Sequence, residues 1–338
     1  MATENSGDPF LSVVIPAYNE EEIIEECLDS VLNQIEPPTY EVVVVDDGSA
    51  DRTPTILDTY SDRHENVRVL HNETNRGIVP TFNRGCEAAR GEFLCFTGAD
   101  TLLDEHYLQR VTEYATNGYD LILGYVKVRN TDHFHPLASQ LAKEYDEEYK
   151  YGGAAMSVRR DLFLETGAFK GAEGTVHQGE GQELIQRAED RDWTIVRDDD
   201  IVVYSEFPTS LHEVLQRKAW AGYMYITYTY EHPDEISLLR RLAGAGYFGV
   251  TTILALATLL VPILAVLSVP LLGVFLYYTY PRAVDMYERS GKPSYFFLRF
   301  GYDYLAGCLR LAGYAMAWRK VLGIGMKKVR KATTGSYA

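Results

Sequence analysis

The sequence predicts an α/β protein, with a mostly parallel sheet in its first two-thirds and a helical membrane region at its C-terminal end. Three observations carry this. Ser12-Val-Val-Ile15 and Val42-Val-Val-Val45 are apolar without alternation, as in parallel strands covered on both faces. Strand and helix signals alternate from Leu11 to Leu123, the pattern of βαβ units. From Leu242 through Pro281 there is no Asp, Glu, Lys or Arg.

Strands are expected at Ser12 to Ile15, Val42 to Val45, Val67 to Leu70, Phe93 to Phe96 and Asp120 to Leu123. Helices fall between them, at Glu20 to Asn33 behind Asn19 as a cap, Arg52 to Ser61, and Thr81 to Arg90. A less regular region runs from Val126 to Val203, and an amphipathic helix follows from Ser210 to Tyr230. That helix carries Trp220, Tyr223, Tyr225, Tyr228 and Tyr230. Aromatics with polar tips suit a membrane interface, so it is read as interfacial, and packing in a core remains the alternative. The charge-free stretch as one helix would be about 60 Å long, twice a bilayer core of about 30 Å. A hairpin of two spans over 242–281 fits better, turning near Val261 to Pro270 with Pro262 or Pro270 at the bend. Arg240, Arg241 and Arg282 flank it, which places both ends in the cytoplasm. The domains expected are a polar N-terminus (1–9), a catalytic domain (10–232), the hairpin, and a basic region (282–338). Within the last, 295–318 reads as an interfacial helix, interrupted by Arg299, Asp303 and Arg310.

The formal net charge is −16, although 282–338 holds 11 Lys+Arg against 3 Asp+Glu. An acidic domain is a poor partner for nucleic acid, whose phosphates need clustered cations. Arg outnumbers Lys 22 to 10, and an acidic, lysine-poor surface suits concentrated salt. Cys27, Cys86, Cys95 and Cys308 form no Cys-x-x-Cys pair, which speaks against a disulfide framework and for a reducing compartment. Met1 to Asp8 is polar, so no signal peptide is expected and the catalytic domain should stay cytoplasmic on a multi-pass membrane protein.

Both apolar strands end in polar loops, Pro16-Ala-Tyr-Asn-Glu20 and Asp46-Asp-Gly-Ser-Ala-Asp-Arg-Thr53. Ligands in such sheets sit beyond the strand ends. With Asn75-Arg-Gly77, Asn83-Arg-Gly85, Gly98-Ala-Asp100 and Gly179-Glu-Gly-Gln-Glu-Leu-Ile-Gln-Arg187 in order, the chain from Ser12 to Trp220 resembles a family 2 inverting glycosyltransferase of the GT-A fold. The resemblance implies transfer of a sugar from a nucleotide donor (EC 2.4). It implies that Pro16, Tyr18, Asn19 and Glu20 line the base and ribose pocket, and that Asp47 accepts the imide N–H of uracil. Asp51 and Thr53 read as helix caps, and Gly77 and Gly91 as backbone requirements.

Where the family carries Asp-x-Asp, this chain has Gly98-Ala-Asp100. Asp100 is left to hold Mg²⁺ or Mn²⁺ against the diphosphate. Where the family carries Glu-Asp, the chain has Glu180-Gly181. An acceptor hydroxyl must lose a proton as it attacks, so Glu180 is the candidate base, with Glu183 and then His177 behind it. Acidic residues also favour helix starts, and that reading stays open for both glutamates. Ser205-Glu-Phe-Pro208 lies where relatives carry His-Glu-x-Pro, and Gln216-Arg-Lys-Ala-Trp220 resembles Gln-x-x-Arg-Trp. The latter assigns Gln216, Arg217 and Trp220 to the acceptor and leaving diphosphate. His133 and His135 lack a third ligand at metal spacing and are taken as solvated.

The expectation is a membrane-attached enzyme similar to the dolichol-linked glycan glycosyltransferases of halophilic archaea. It would move one uridine-linked sugar to dolichyl phosphate or a dolichol-linked oligosaccharide, in N-glycosylation or surface glycan assembly. The alternatives are a non-catalytic membrane scaffold, which Gly98, Gly181 and Ala219 favour, and a polysaccharide synthase, which would want more spans and intact motifs.

Overall fold

The computed structural model describes residues 8–145, 151–169, 180–210, 212–214 and 265–305. They divide into two compact units, one of residues 1–129 and 143–207, the other of 130–142 and 208–338.

The first unit is built on β1 (Leu11–Ala17), β2 (Tyr40–Asp46), β3 (Val67–His71), β4 (Phe93–Phe96), β5 (Thr101–Leu103), β6 (Leu121–Val128), β7 (Tyr151–Arg159) and β8 (Ile195–Ser205). They form one sheet in the order β3-β2-β1-β4-β7-β6-β8-β5. The first four are parallel, β7 runs against β4 and β6, β8 lies parallel to β6, and β5 runs against β8. Helices α1 (Ile24–Leu32), α2 (Thr53–Arg63) and α4 (Tyr107–Thr116) lie in sequence with α3 (Ile78–Ala88), α6 (Arg160–Glu165) and α7 (Glu180–Glu189).

The lack of alternation in the strands has the expected cause. Val13, Ile15, Val42 and Val44 share one core with Ile24, Cys27, Leu28 and Val31 of α1, Leu57 of α2, and Leu108 and Val111 of α4. Val14 and Val43 point the other way, into a core with Val79, Phe82 and Cys86 of α3, Phe163 of α6 and Leu184 of α7. Val42 to Val45 are wholly buried, which stabilises by about 1.5–3 kcal/mol for each side chain.

Several expectations need correction. Helix α1 begins at Ile24, and Asn19 sits before it in the left-handed region (φ +56°) without capping it. The region from Val126 to Val203 is not irregular, since it holds α5 (Phe134–Tyr145), β7, α6, α7 and β8. Strand β8 breaks register against β6, with Leu123 facing Arg197 and Tyr125 facing Val202. Asp198, Asp199 and Asp200 fall in that bulge.

The second unit contains most of α5, the long helix α8 (Ala265–Ser290) and a further helical stretch at 293–305. Its small core joins Leu137, Ala138 and Leu141 of α5 to Met286 of α8, with Phe134, Tyr295 and Tyr302 against them. Arg299, expected to interrupt an interfacial helix, is buried instead. It pairs with Asp303 at 3.0 Å and donates to the Ala138 carbonyl at 3.2 Å. His135 is not a solvated side chain either, because its ring lies 5.5 Å from that of Tyr302. Pro270 stands inside α8, which runs on through Arg282, so the chain does not bend at Pro270. Pro262, most of the 242–281 stretch and residues 306–318 lie outside the described residues. Among the described residues no helix is long and apolar enough to cross a membrane.

Candidate active site

The strand order reverses between β1 and β4, since the chain steps outward from β1 to β3 and returns to β4 beside β1. A crevice at the carboxyl ends of the strands is expected at such a switch point. The loops that meet there are 18–23 after β1, 47–52 after β2, 72–77 after β3 and 97–100 after β4.

The first two loops are stitched together. The Asn19 N–H donates to Ser49 Oγ at 2.9 Å, the Ala50 N–H to Asn19 Oδ1 at 2.8 Å, and the Glu20 N–H to Thr53 Oγ1 at 2.8 Å. The Glu21 N–H donates to Asp51 Oδ2 at 3.2 Å, and both Arg52 N and Nε donate to Glu21 Oε2, at 3.1 and 3.0 Å. Asp51 also accepts from the Thr53 N–H at 2.9 Å. Asp51 therefore serves the start of α2, as the capping reading expected, and also ties it to the β1 loop. Burial alone would raise its carboxyl, but hydrogen bonds from Thr53 and Glu21 hold it below the usual range. Tyr18 stands on the stitched loops and is exposed, and Pro16, next to last in β1, lies beyond that strand's last pair with β4, where a missing N–H costs that ladder nothing.

Across the switch point lies Asp100. Its Oδ1 accepts from Thr101 Oγ1 at 3.2 Å and fills the space a side chain at Gly98 would use, since a Cβ there would lie 2.6 Å from it. Glu20 sits within the field of Asp100. Its carboxyl is pushed up to about 7, first by burial and then by the charges of Asp100 and Asp51. Beneath both, the buried thiol of Cys27 donates to the Gly98 carbonyl at 3.5 Å and is pushed up to about 12, by burial and then by Asp100. So Glu20 lies within electrostatic reach of Asp100, a pairing that the motifs alone did not make. A cation bound beside them would favour the ionised form of Glu20.

No set of three or more His, Cys, Asp or Glu side chains among the described residues converges as a metal site. Two carboxylates do fit an ion carried in with a diphosphate, because Mg²⁺ is commonly held by one or two carboxylates plus substrate phosphates.

Asp47 differs from expectation. It is buried, and its Oδ1 accepts from Asn72 Nδ2 at 2.6 Å and the Arg76 N–H at 2.9 Å, while Oδ2 accepts from the Gly77 N–H at 2.9 Å. Its neighbour Asp46 accepts from the Ser49 N–H at 3.1 Å and pairs with His71 Nδ1 at 3.0 Å. The reading of Gly77 and Gly91 as backbone requirements agrees with the structure. Gly77 has φ +93°, and a Cβ on Gly91 would lie 2.6 Å from the Ser12 nitrogen. Asn83, one of the motif residues, clamps Phe169 through both backbone groups, at 2.8 and 3.0 Å.

Glu180 opens α7 and Glu183 lies one turn on, but their side chains are outside the described residues, as are His177, Gln216, Arg217 and Trp220. Gly181 packs on β7, where a Cβ would meet the Gly153 nitrogen and Met156 Cε at 3.3 Å. The family's aspartate could stand there only if β7 gave slightly.

Residues 12–171, which lie in the first unit apart from 130–142, match the family model described as Glycosyl transferase family 2. The glycosyltransferase AglE of Haloferax volcanii is 36% identical over 140 residues, 41% of this chain and 44% of that protein. The poly(ribitol-phosphate) beta-glucosyltransferase of Bacillus spizizenii is 38% identical over 121 residues, 35% of this chain and 19% of that protein. The chain spans less than half the length of the curated relatives it matches. Among solved structures, the mannosyltransferase PcManGT from Pyrobaculum calidifontis, in complex with GDP-Man and Mn²⁺, is similar with a TM-score of 0.56 at 18% identity. It covers 92% of this chain and 89% of that one, and at that identity it shows the fold alone, a GT-A-like α/β fold.

Proposed function

We propose that the chain is an inverting glycosyltransferase that moves one sugar from a nucleotide-sugar to a lipid-linked acceptor at a membrane. The observation that carries this is the switch point of a sheet whose residues 12–171 match the family 2 model, where the stitched loops after β1 and β2 bring Glu20 into the field of Asp100. Tyr18 offers a flat face to a base. Asp100 and Glu20 would hold Mg²⁺ or Mn²⁺, which would neutralise charge developing on the leaving diphosphate; the Mn²⁺ and GDP-Man in the similar Pyrobaculum structure support that choice. Where the acceptor is a hydroxyl of a dolichol-linked oligosaccharide, Glu180 takes its proton as that oxygen bonds to the anomeric carbon and the bond to the diphosphate breaks; a dolichyl phosphate oxygen, ionised near neutral pH, needs no base.

The membrane reading draws support from α8. Leu272, Val274, Leu276, Tyr277 and Tyr278 are exposed, and at about 100° per residue they spread over about two-thirds of the helix circumference. An exposed apolar band of that width suits an apolar surface such as a membrane. The acceptor we propose is dolichyl phosphate or a dolichol-linked oligosaccharide, and the pathway N-glycosylation or surface glycan assembly. The acidic, lysine-poor composition and the Haloferax relative support it.

The test is transfer by membranes holding the full chain, given labelled UDP-, GDP- and dTDP-sugars with dolichyl phosphate or a dolichol-linked oligosaccharide. Label should enter the lipid fraction, EDTA should stop it, and with the hydroxyl acceptor Glu180→Gln should lower turnover by about 10² to 10⁴ while sparing donor binding. Nucleotide binding without transfer from any donor would favour the scaffold.

A further inference from the structure

Resting on the nucleotide reading of the crevice, we infer that Asp47 is a positioning residue: it acts on the nucleotide through the 72–77 turn and does not read the base. A carboxylate offers about four acceptor positions, two on each oxygen. Both on Oδ1 are filled, by Asn72 Nδ2 and the Arg76 N–H, and the Gly77 N–H takes one on Oδ2. The side chain is only 4% exposed.

The turn it holds also packs its backbone closely on Gly48, where a Cβ would lie 2.8 Å from the Thr74 carbonyl carbon. Glu73, Thr74 and Asn75 are exposed, Gly77 sits at φ +93°, and α3 starts there with no side-chain cap. Two backbone N–H groups at a helix start thus take their acceptor from the end of β2, some thirty residues earlier in the chain. Hydrogen bonds to an ionised acceptor are about twice as strong as neutral ones. The clasp extends outward as well. Asn72 Nδ2 also lies 3.3 Å from Thr81 Oγ1, and Arg84 donates to Asn72 Oδ1 and, at 2.8 Å, to the His71 carbonyl. The ends of β2 and β3 and the first turns of α3 are thereby one hydrogen-bonded unit, which forms a wall of the crevice.

Asp47→Asn keeps the shape but turns one oxygen into an NH₂ group, which would face donors. Under the clasp it loosens the turn for every ligand. The experiment measures amide exchange at Arg76 and Gly77 in the full chain, and the affinities for UDP, GDP and ADP with Mn²⁺. Asp47→Asn should speed exchange at both amides and weaken all three nucleotides by one common factor, about tenfold. Asn72→Ala, which leaves the carboxylate in place, should move both readouts in the same direction and carries the test should Asp47→Asn not fold. Loss confined to UDP, with the amides still protected, overturns the inference and makes Asp47 the base reader. Unchanged exchange in Asp47→Asn overturns it whatever binds. A wild type that binds none of the three nucleotides removes the crevice reading instead, and the exchange result stands apart from it.

Discussion

The sheet unit and the helical unit use the same apolar side chains in opposite ways. In β1 and β2 every Val, Leu and Ile is fully buried, whereas Tyr277 of α8 is 75% exposed and Leu272 54%. The sheet unit builds two cores and satisfies its loops with cross-strand hydrogen bonds. The helical unit packs one small cluster and a buried ion pair. The difference teaches that hydrophobicity fixes how much surface avoids water and not what replaces the water. In one unit it is protein on both sides of a sheet. In the other, on the function proposed here, it is lipid.

The largest expected effect probes how the sheet unit handles buried charge. Glu41 is 1% exposed and accepts from Ser12 Oγ, the Arg90 N–H and guanidinium, and Arg68. Burial pushes its carboxyl upward, but those hydrogen bonds outweigh it and hold it below the ordinary value. Glu41→Gln should cost about 3 kcal/mol at pH 7 in denaturant unfolding. A depressed carboxylate contributes above its unfolded value of about 4.3. The deficit should therefore shrink as pH falls through the folded value. An equal deficit at every pH would mean that packing, not charge, is at stake.

In the helical unit, Arg299→Leu strips Asp303 and the Ala138 carbonyl of their partner and should cost about 2 kcal/mol, read by thermal melting in detergent. Arg299→Leu with Asp303→Leu should recover most of it. If the double variant is as weak as the single one, Arg299 acts through the Ala138 carbonyl more than through the ion pair.

A smaller effect of opposite sign is expected at the crevice. Glu20 is neutral in the fold well above the usual carboxylate range, so its contribution to stability is full below about 4.5 and is lost as pH rises through about 7. Glu20→Gln should match the wild type at pH 5 and, with solvent screening allowed for, melt higher at pH 8 by about 1 kcal/mol, or about 2–4 °C. No gain at pH 8 would mean that neither burial nor the charges of Asp100 and Asp51 raise it.

The smallest change in folding and the sharpest test of the comparison is Tyr277→Ser. It should alter stability by less than about 0.5 kcal/mol, yet lower recovery with vesicles in flotation. Unchanged flotation would take that face of α8 out of the bilayer.

Much of the sheet unit can be read from the sequence because its signals are local. Val42 to Val45, the turn at Asp46 to Thr53 and the motif at Asn83 to Gly91 each declare themselves within ten residues. What sequence reading misses lies where local signals conflict or partners are distant. Strand β7 reads Tyr-Gly-Gly-Ala-Ala-Met-Ser-Val-Arg, with one β-branched residue, and β8 carries three aspartates. Tertiary pairing overrides their weak propensity, and the bulge at Asp198 to Asp200 takes the charges out of the ladder. At the site, the motifs pointed to Asp47, Glu20 and Asp100 but not to what each touches. The partners of Asp47 lie 25 to 30 residues away, and those of Glu20 follow two other strands, β2 and β4.

The helical unit takes residues 130–142 from the middle of the sheet unit's sequence as well as everything from Pro208 onward. The chain therefore visits it twice, and no single cut separates the two units. A truncation after Phe207 would leave Leu137, Ala138 and Leu141 stranded without Met286, with their apolar side chains uncovered. A fragment starting at Pro208 would lack the helix that Arg299 grips. For dissection, the practical scissors are paired ones, replacing 130–142 by a short polar connection while ending the chain near Phe207. For the history of such a protein, a helical part made this way could not be traded between chains as one contiguous module.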